Sequence, residues 1–124
     1  MSASPTAAPR HPSTTPDVAR AAWGTVCLLA PGLVERSLAG REPDVRARRV
    51  VRVLGARHLV QAAGARLLPP HLAVGGGAAV DAVHALTAAA FGLGDARRRR
   101  AALADAAVAA GWCVWGVRRY RRLP

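Results

Sequence analysis

Apolar segments alternate with dense arginine clusters, and that alternation limits what this chain can fold into more than any other feature. Six arginines lie between Arg36 and Arg52, four form the run Arg97 to Arg100, and four more close the chain at Arg118, Arg119, Arg121 and Arg122. Between them run four stretches rich in Ala, Val, Leu and Gly, about Val18–Leu38, Val45–Leu68, His71–Gly94 and Ala101–Val117. Among the cations, Arg57 and Arg66 read as the two placed inside apolar stretches. Charge that punctuates hydrophobic segments, and does not stripe one face of them, is the pattern of membrane-flanking residues.

The formal charge of +11 would otherwise invite nucleic acid as a partner. Every one of the 18 cations is arginine, and there is no Lys, Asn or Ile. Ala, Arg, Gly and Pro have GC-rich codons, so codon bias accounts for the choice of arginine. It does not account for 18 cations against 7 anions, which is a matter of placement. Base reading needs polar side chains such as Asn, Gln and Lys along a helix, and Gln61 is the single Gln. A soluble basic helical protein that binds nucleic acid is therefore the weakest of three readings. With 52% hydrophobic residues the chain is too apolar for wholesale disorder, and two cysteines cannot build a disulfide framework.

Residues 1–17 carry four prolines among Ser, Thr and Ala and read as a disordered tail, with 18–124 as a helical membrane domain. In the first segment, fourteen apolar residues from Ala21 to Val34 reach only about 21 Å, short of a ~30 Å hydrocarbon core. Pro31 should kink or end that helix. Segment two is stopped by Pro69-Pro70. Gly75-Gly76-Gly77 weakens the start of segment three, although membrane helices tolerate small residues because these let backbones approach. Segments three and four lack the broad polar face a soluble bundle helix needs. Trp112 and Trp115, followed by Arg118 and Arg119, resemble an interfacial anchor.

Folding segments two and three into a hairpin about Pro69-Pro70 brings their strongest polar residues to one height. Arg57, His58 and Gln61 then face Asp81 and His84. Such groups inside a bilayer should point inward and pair, so the expected core is an Arg57–Asp81 ion pair with His58, Gln61 and His84 around it. The first reading of this layer is helix–helix glue, and the second is a path for protons or a small solute. A metal site from His58, Asp81 and His84 has legitimate ligands but an adjacent Arg57 that repels cations. No phosphate loop, nucleophile elbow, zinc spacing or paired catalytic carboxylates occur in the sequence. The expectation is therefore no enzymatic activity, no cofactor and no metal.

The run Val53-Leu54-Gly55-Ala56-Arg57-His58-Leu59-Val60-Gln61, followed by Val80-Asp81-Ala82-Val83-His84-Ala85, resembles uncharacterised small multi-pass membrane proteins of actinobacterial type. The likeness covers segments two to four. It implies a multi-pass location in the cell membrane and carries no assigned activity.

The sequence thus predicts an all-α fold: a small membrane bundle of three to four apolar helices. The expected function is structural or partner-binding, with the lipid bilayer and either a second copy or another membrane protein as partners. A minimal proton-linked or small-solute transport component is the alternative. The positive-inside rule puts the 36–52 and 95–100 clusters in the cytoplasm, and a fully crossing fourth segment would leave the arginine tail outside.

Overall fold

The structure, a computed structural model, describes residues 15–40 and 44–124. Among the described residues there are five helices and no strand: α1 (Thr15–Leu29), α2 (Pro31–Ala39), α3 (Val45–Leu67), α4 (Pro70–Gly94) and α5 (Arg99–Tyr120). Most of the expected 1–17 tail lies outside the described residues. Its last three positions, Thr15 to Asp17, belong to the first turn of α1. Arg41, Glu42 and Pro43 also lie outside the described residues.

Local chemistry sets the helix ends. α1 stops at Leu29 because Pro31 cannot donate to the helix, and the chain turns by 100° at Ala30 into α2. The first segment is therefore two helices. Gly40 closes α2 in the left-handed region, at φ 62°, with its N–H donated to the Arg36 carbonyl at 3.0 Å. Leu68 is extended before Pro69, which ends α3, and Pro70 opens α4 in the position where a missing N–H costs least. Gly75 to Gly77 continue α4 as helix.

Asp44 caps α3, its carboxylate accepting the Ala47 N–H at 2.7 Å. That hydrogen bond, with help from Arg98, holds the Asp44 carboxyl below the usual carboxylate range. A depressed pKa contributes stability above the ordinary value, and the contribution disappears as pH falls through the lowered one. Asp44→Ala should therefore lower the melting temperature at neutral pH, and its gap from wild type should close in acid. Circular dichroism melts of both chains across pH would show it; a gap constant with pH would refute the charged cap.

The helices run alternately up and down, in two tight antiparallel pairs. In the first pair Arg20 of α1 meets Gln61 of α3, and Gly24 meets Gly55. Here the backbones nearly touch. A Cβ on Gly55 would lie 2.6 Å from the Gly24 carbonyl oxygen and 2.8 Å from the Leu28 nitrogen. In the second pair α4 lies along α5 for its whole length, from Gly75 beside Tyr120 to Gly92 against Ala102. Its buried positions are Val74, Ala78, Asp81 and Gly92 on α4 with Ala106, Ala109 and Gly116 on α5. Small residues at spacings of three and four let these helices close up.

The expected hairpin forms and brings Arg57 and Gln61 to Asp81, but it is not the main packing contact of either helix. α3 and α4 are antiparallel neighbours in sequence, but each packs mainly on another helix, α3 on α1 and α4 on α5. Small side chains on the α1 and α5 seams decide this, because Gly24 and Gly116 admit a closer partner than α3 and α4 offer each other. α2 leans across one end against α3 and α5.

The bundle has an arginine-rich cap at each end. Arg98 of the 97–100 run pairs with Asp44 at 3.3 Å, so that run and the 36–52 cluster share one end. Arg119 pairs with Asp17 at 3.3 Å at the other. Between the caps the surface is apolar: Val60 is 70% exposed, Val83 62% and Leu86 72%. Thr25 and Thr87 are exposed there, and each donates its hydroxyl to a carbonyl of its own helix.

The expected count of three to four apolar helices is not reached by length and composition. Among the described residues, α4 is the one straight helix long and apolar enough to cross a membrane, and the bent α1–α2 pair passes the same test only if taken as one broken span. Arginines at the ends of α3 and α5, and the brevity of α1, keep those helices below it.

Candidate functional site

Asp81 is the centre of the molecule. It sits on the buried face of α4, one turn past Ala78, and is 0% exposed. Arg20 of α1 binds it with both ends of its guanidinium, Nη2 to Oδ2 at 2.8 Å and Nη1 to Oδ1 at 3.3 Å. Arg57 of α3 approaches Oδ1 at 3.3 Å from the other side. Gln61, one turn beyond Arg57, donates to Asp81 Oδ1 at 3.4 Å and to the Gly77 carbonyl at 3.2 Å, while its own oxygen accepts from Arg20 at 2.6 Å. A two-point arginine–carboxylate pair with further hydrogen bonds is the form in which a buried ion pair survives desolvation.

Arg20 touches every other long helix. Besides Gln61 on α3 and Asp81 on α4, its guanidinium lies 4.5 Å from the centre of the Trp112 ring on α5. A cation over an indole face is held by the ring quadrupole, most strongly when water is excluded, and Arg20 is 7% exposed. The expectation that only Arg57 and Arg66 lay inside apolar stretches is therefore corrected. Arg20 is legible by the same logic, as the one cation between Asp17 and Glu35, but an apolar stretch counted from Ala21 leaves it out.

The five sequence-predicted residues separate into three environments. Arg57, Gln61 and Asp81 come together as described. His84 turns away from them toward α5, where its Nε2 lies 2.7 Å from Asp105 Oδ2. Asp81 and His84 are three residues apart, so their side chains diverge around the helix enough to serve different partners. Asp105 was not singled out in the sequence, although it is the only charged residue between Ala101 and Val117. His58 is buried in the α1–α3 seam, with its Cβ 3.0 Å from where a Cβ on Gly24 would stand.

Among the described residues, three buried nitrogens have no hydrogen-bond partner: Nε and Nη1 of Arg57 and Nδ1 of His58. Among the described residues no group of three or more His, Cys, Asp or Glu could hold a metal ion. The His58–Asp81–His84 metal alternative thus has no geometry here, because the two histidines face different helices. Cys27 and Cys113 are free thiols.

A cavity of about 490 Å³ leads from the Arg119 end of the bundle to this centre. Its lining includes His71, Trp115, Arg119 and Pro124 together with Arg20 and Gln61. No protein-family model, curated protein or solved structure matches the chain.

Proposed function

We propose that this chain is a small multi-pass integral membrane protein with a structural or partner-binding role and no catalytic one. The Arg20–Arg57–Asp81 cluster then serves to align its two helix pairs. The observation that carries this reading is the inversion of burial. Charged and polar side chains (Asp81, Arg20 and His58) are buried among small residues such as Cys27 and Ala109, while large apolar ones such as Val60, Leu67 and Leu86 face outward. In water, that surface would be an aggregation liability far beyond the scattered apolar residues of ordinary proteins. In hydrocarbon it is the required arrangement, with ionisable groups inside and paired. α4 adds weight, since only 17% of its most apolar stretch is buried, whereas the apolar core helix of a soluble protein is mostly covered.

Carbonate extraction of membranes, with reporter fusions after Arg36, Pro70, Arg100 and Pro124, tests the proposal. The chain should stay in the pellet, with the fusions at Arg36 and Arg100 reporting one side and those at Pro70 and Pro124 the other. Release into the supernatant would end it.

The cavity favours a second reading, a minimal proton-linked or small-solute transport component. It gives Arg20 and Gln61 an opening toward one end, and beyond them lie Asp81 and the His84–Asp105 pair. Proteoliposomes carrying a pH-sensitive dye discriminate: a proton flux that His84→Ala removes would favour transport, and a silent wild type favours the structural role.

A further inference from the structure

The 100° turn at Ala30 leaves a concavity of about 370 Å³ between the bend and the first turns of α3. Leu29, Pro31, Leu33, Arg36, Arg48 and Arg52 line it. Arg48 and Arg52 are four residues apart on α3 and so share a face, and Arg36 reaches in from α2. The carboxylate of Glu35 stands within electrostatic reach of Arg48. Arg36 and Arg52 make no ion pair among the described residues. The first turn of α2 opens here too, and its N-cap Ala30 offers no side-chain acceptor. Beside this cationic floor stands an apolar rim, with Leu29 77% and Leu33 59% exposed.

We infer that this concavity binds the phosphodiester headgroup of an anionic phospholipid. The guanidiniums of Arg36 and Arg52, with Arg48 between Glu35 and them, call for an anion, and their fork geometry matches phosphate oxygens. The rim calls for something else. A free phosphate would satisfy the arginines and leave Leu29 and Leu33 bare, whereas a phospholipid continues from its phosphate into acyl chains that cover both. The bend lies at the end of the bundle shared by the 36–52 and 97–100 clusters, which on the membrane reading is headgroup level. The inference rests on that reading.

The test uses the full chain in detergent, titrated with dioleoylphosphatidylglycerol or dioleoylphosphatidylcholine, with retained lipid counted by native mass spectrometry. Wild type should retain one phosphatidylglycerol in preference to phosphatidylcholine. Arg36→Gln with Arg52→Gln should weaken that retention by about thirty-fold, the loss of two guanidinium–phosphate contacts. Arg97→Gln with Arg100→Gln removes equal charge from the same end outside the concavity and should change it far less. Leu29→Asn leaves every arginine in place and should lower lipid retention while sparing the binding of glycerol phosphate. Equal losses in the two arginine doubles would show diffuse surface charge and overturn the site. So would glycerol phosphate displacing the lipid from wild type at equal concentration, which would mark a site for the free anion. Carbonate extraction reports the membrane reading separately: an integral chain with no lipid preference sinks this inference alone.

Discussion

Replacing Asp81 by alanine should cost about 3–5 kcal/mol, the loss typical when one member of a buried ion cluster is removed. The reason is what stays behind. Arg20 and Arg57 converge on Asp81 from α1 and α3, at 2.8 and 3.3 Å, and without it two guanidiniums share a buried site with no anion between them. Gln61 loses an acceptor in the same step. Asp81→Asn should recover little, because the amide keeps the shape and one acceptor but not the charge. The two arginines are unequal. Arg20 makes two contacts to Asp81, one to Gln61 and one to the Trp112 ring, so Arg20→Leu should destabilise more than Arg57→Leu. Replacing all three ions together, with Arg20→Met, Arg57→Met and Asp81→Leu, should restore much of what Asp81→Ala removes, since an apolar trio has no charge to strand. Thermal denaturation in mild detergent reads each variant. A triple variant as unstable as Asp81→Ala would mean that the cluster contributes net cohesion, contrary to this argument.

Gly55→Ala should be more damaging than the same change at Gly24, Gly64, Gly92 or Gly116. Its Cβ would meet backbone atoms at 2.6 and 2.8 Å and the Cys27 Cβ at 2.9 Å. Backbone cannot rotate aside as a side chain can, so α1 and α3 must separate. Overpacking of this kind costs about 1–3 kcal/mol, and separation here also draws Arg20 away from Gln61 and Asp81. Gly64→Ala is the matched control on the same helix. Its Cβ finds only the Leu68 Cδ1, at 3.6 Å, and alanine gains up to about 1 kcal/mol in helix propensity. Gly64→Ala should therefore be neutral or stabilising in the same melt. Equal melting temperatures for the two variants would show that the α1–α3 crossing is looser than described.

The contrast between these two glycines explains what could and could not be read from the sequence. Helices were legible throughout, because proline marks the breaks at 31 and 69–70 and no segment alternates with a period of two. The ionic partnership of Arg57 with Asp81 followed from charge in apolar surroundings. What could not be read was which helix packs on which. That choice rests on backbone approach at Gly24 and Gly55 and at Gly116 and Ala78, and the chain has 12 glycines that look alike in a list of letters. The choice of partner then carried His84 to Asp105 and brought Arg20 onto Asp81. The site residues that were missed, Arg20 and Asp105, lie on the two helices the hairpin argument left out.

Alanine and glycine seams have a weakness that the central carboxylate answers. A seam of small residues repeated every three and four positions fits its partner almost as well after a slip of seven residues, so packing alone leaves several alignments close in energy. Asp81 has no equivalent seven positions away in either direction, where Val74 and Ala88 stand. Only one alignment of the two pairs delivers it to Arg20 and Arg57 together. Built mostly from five kinds of residue, the chain divides the labour. The small side chains supply adhesion that is nearly indifferent to position, and one buried charge supplies the address.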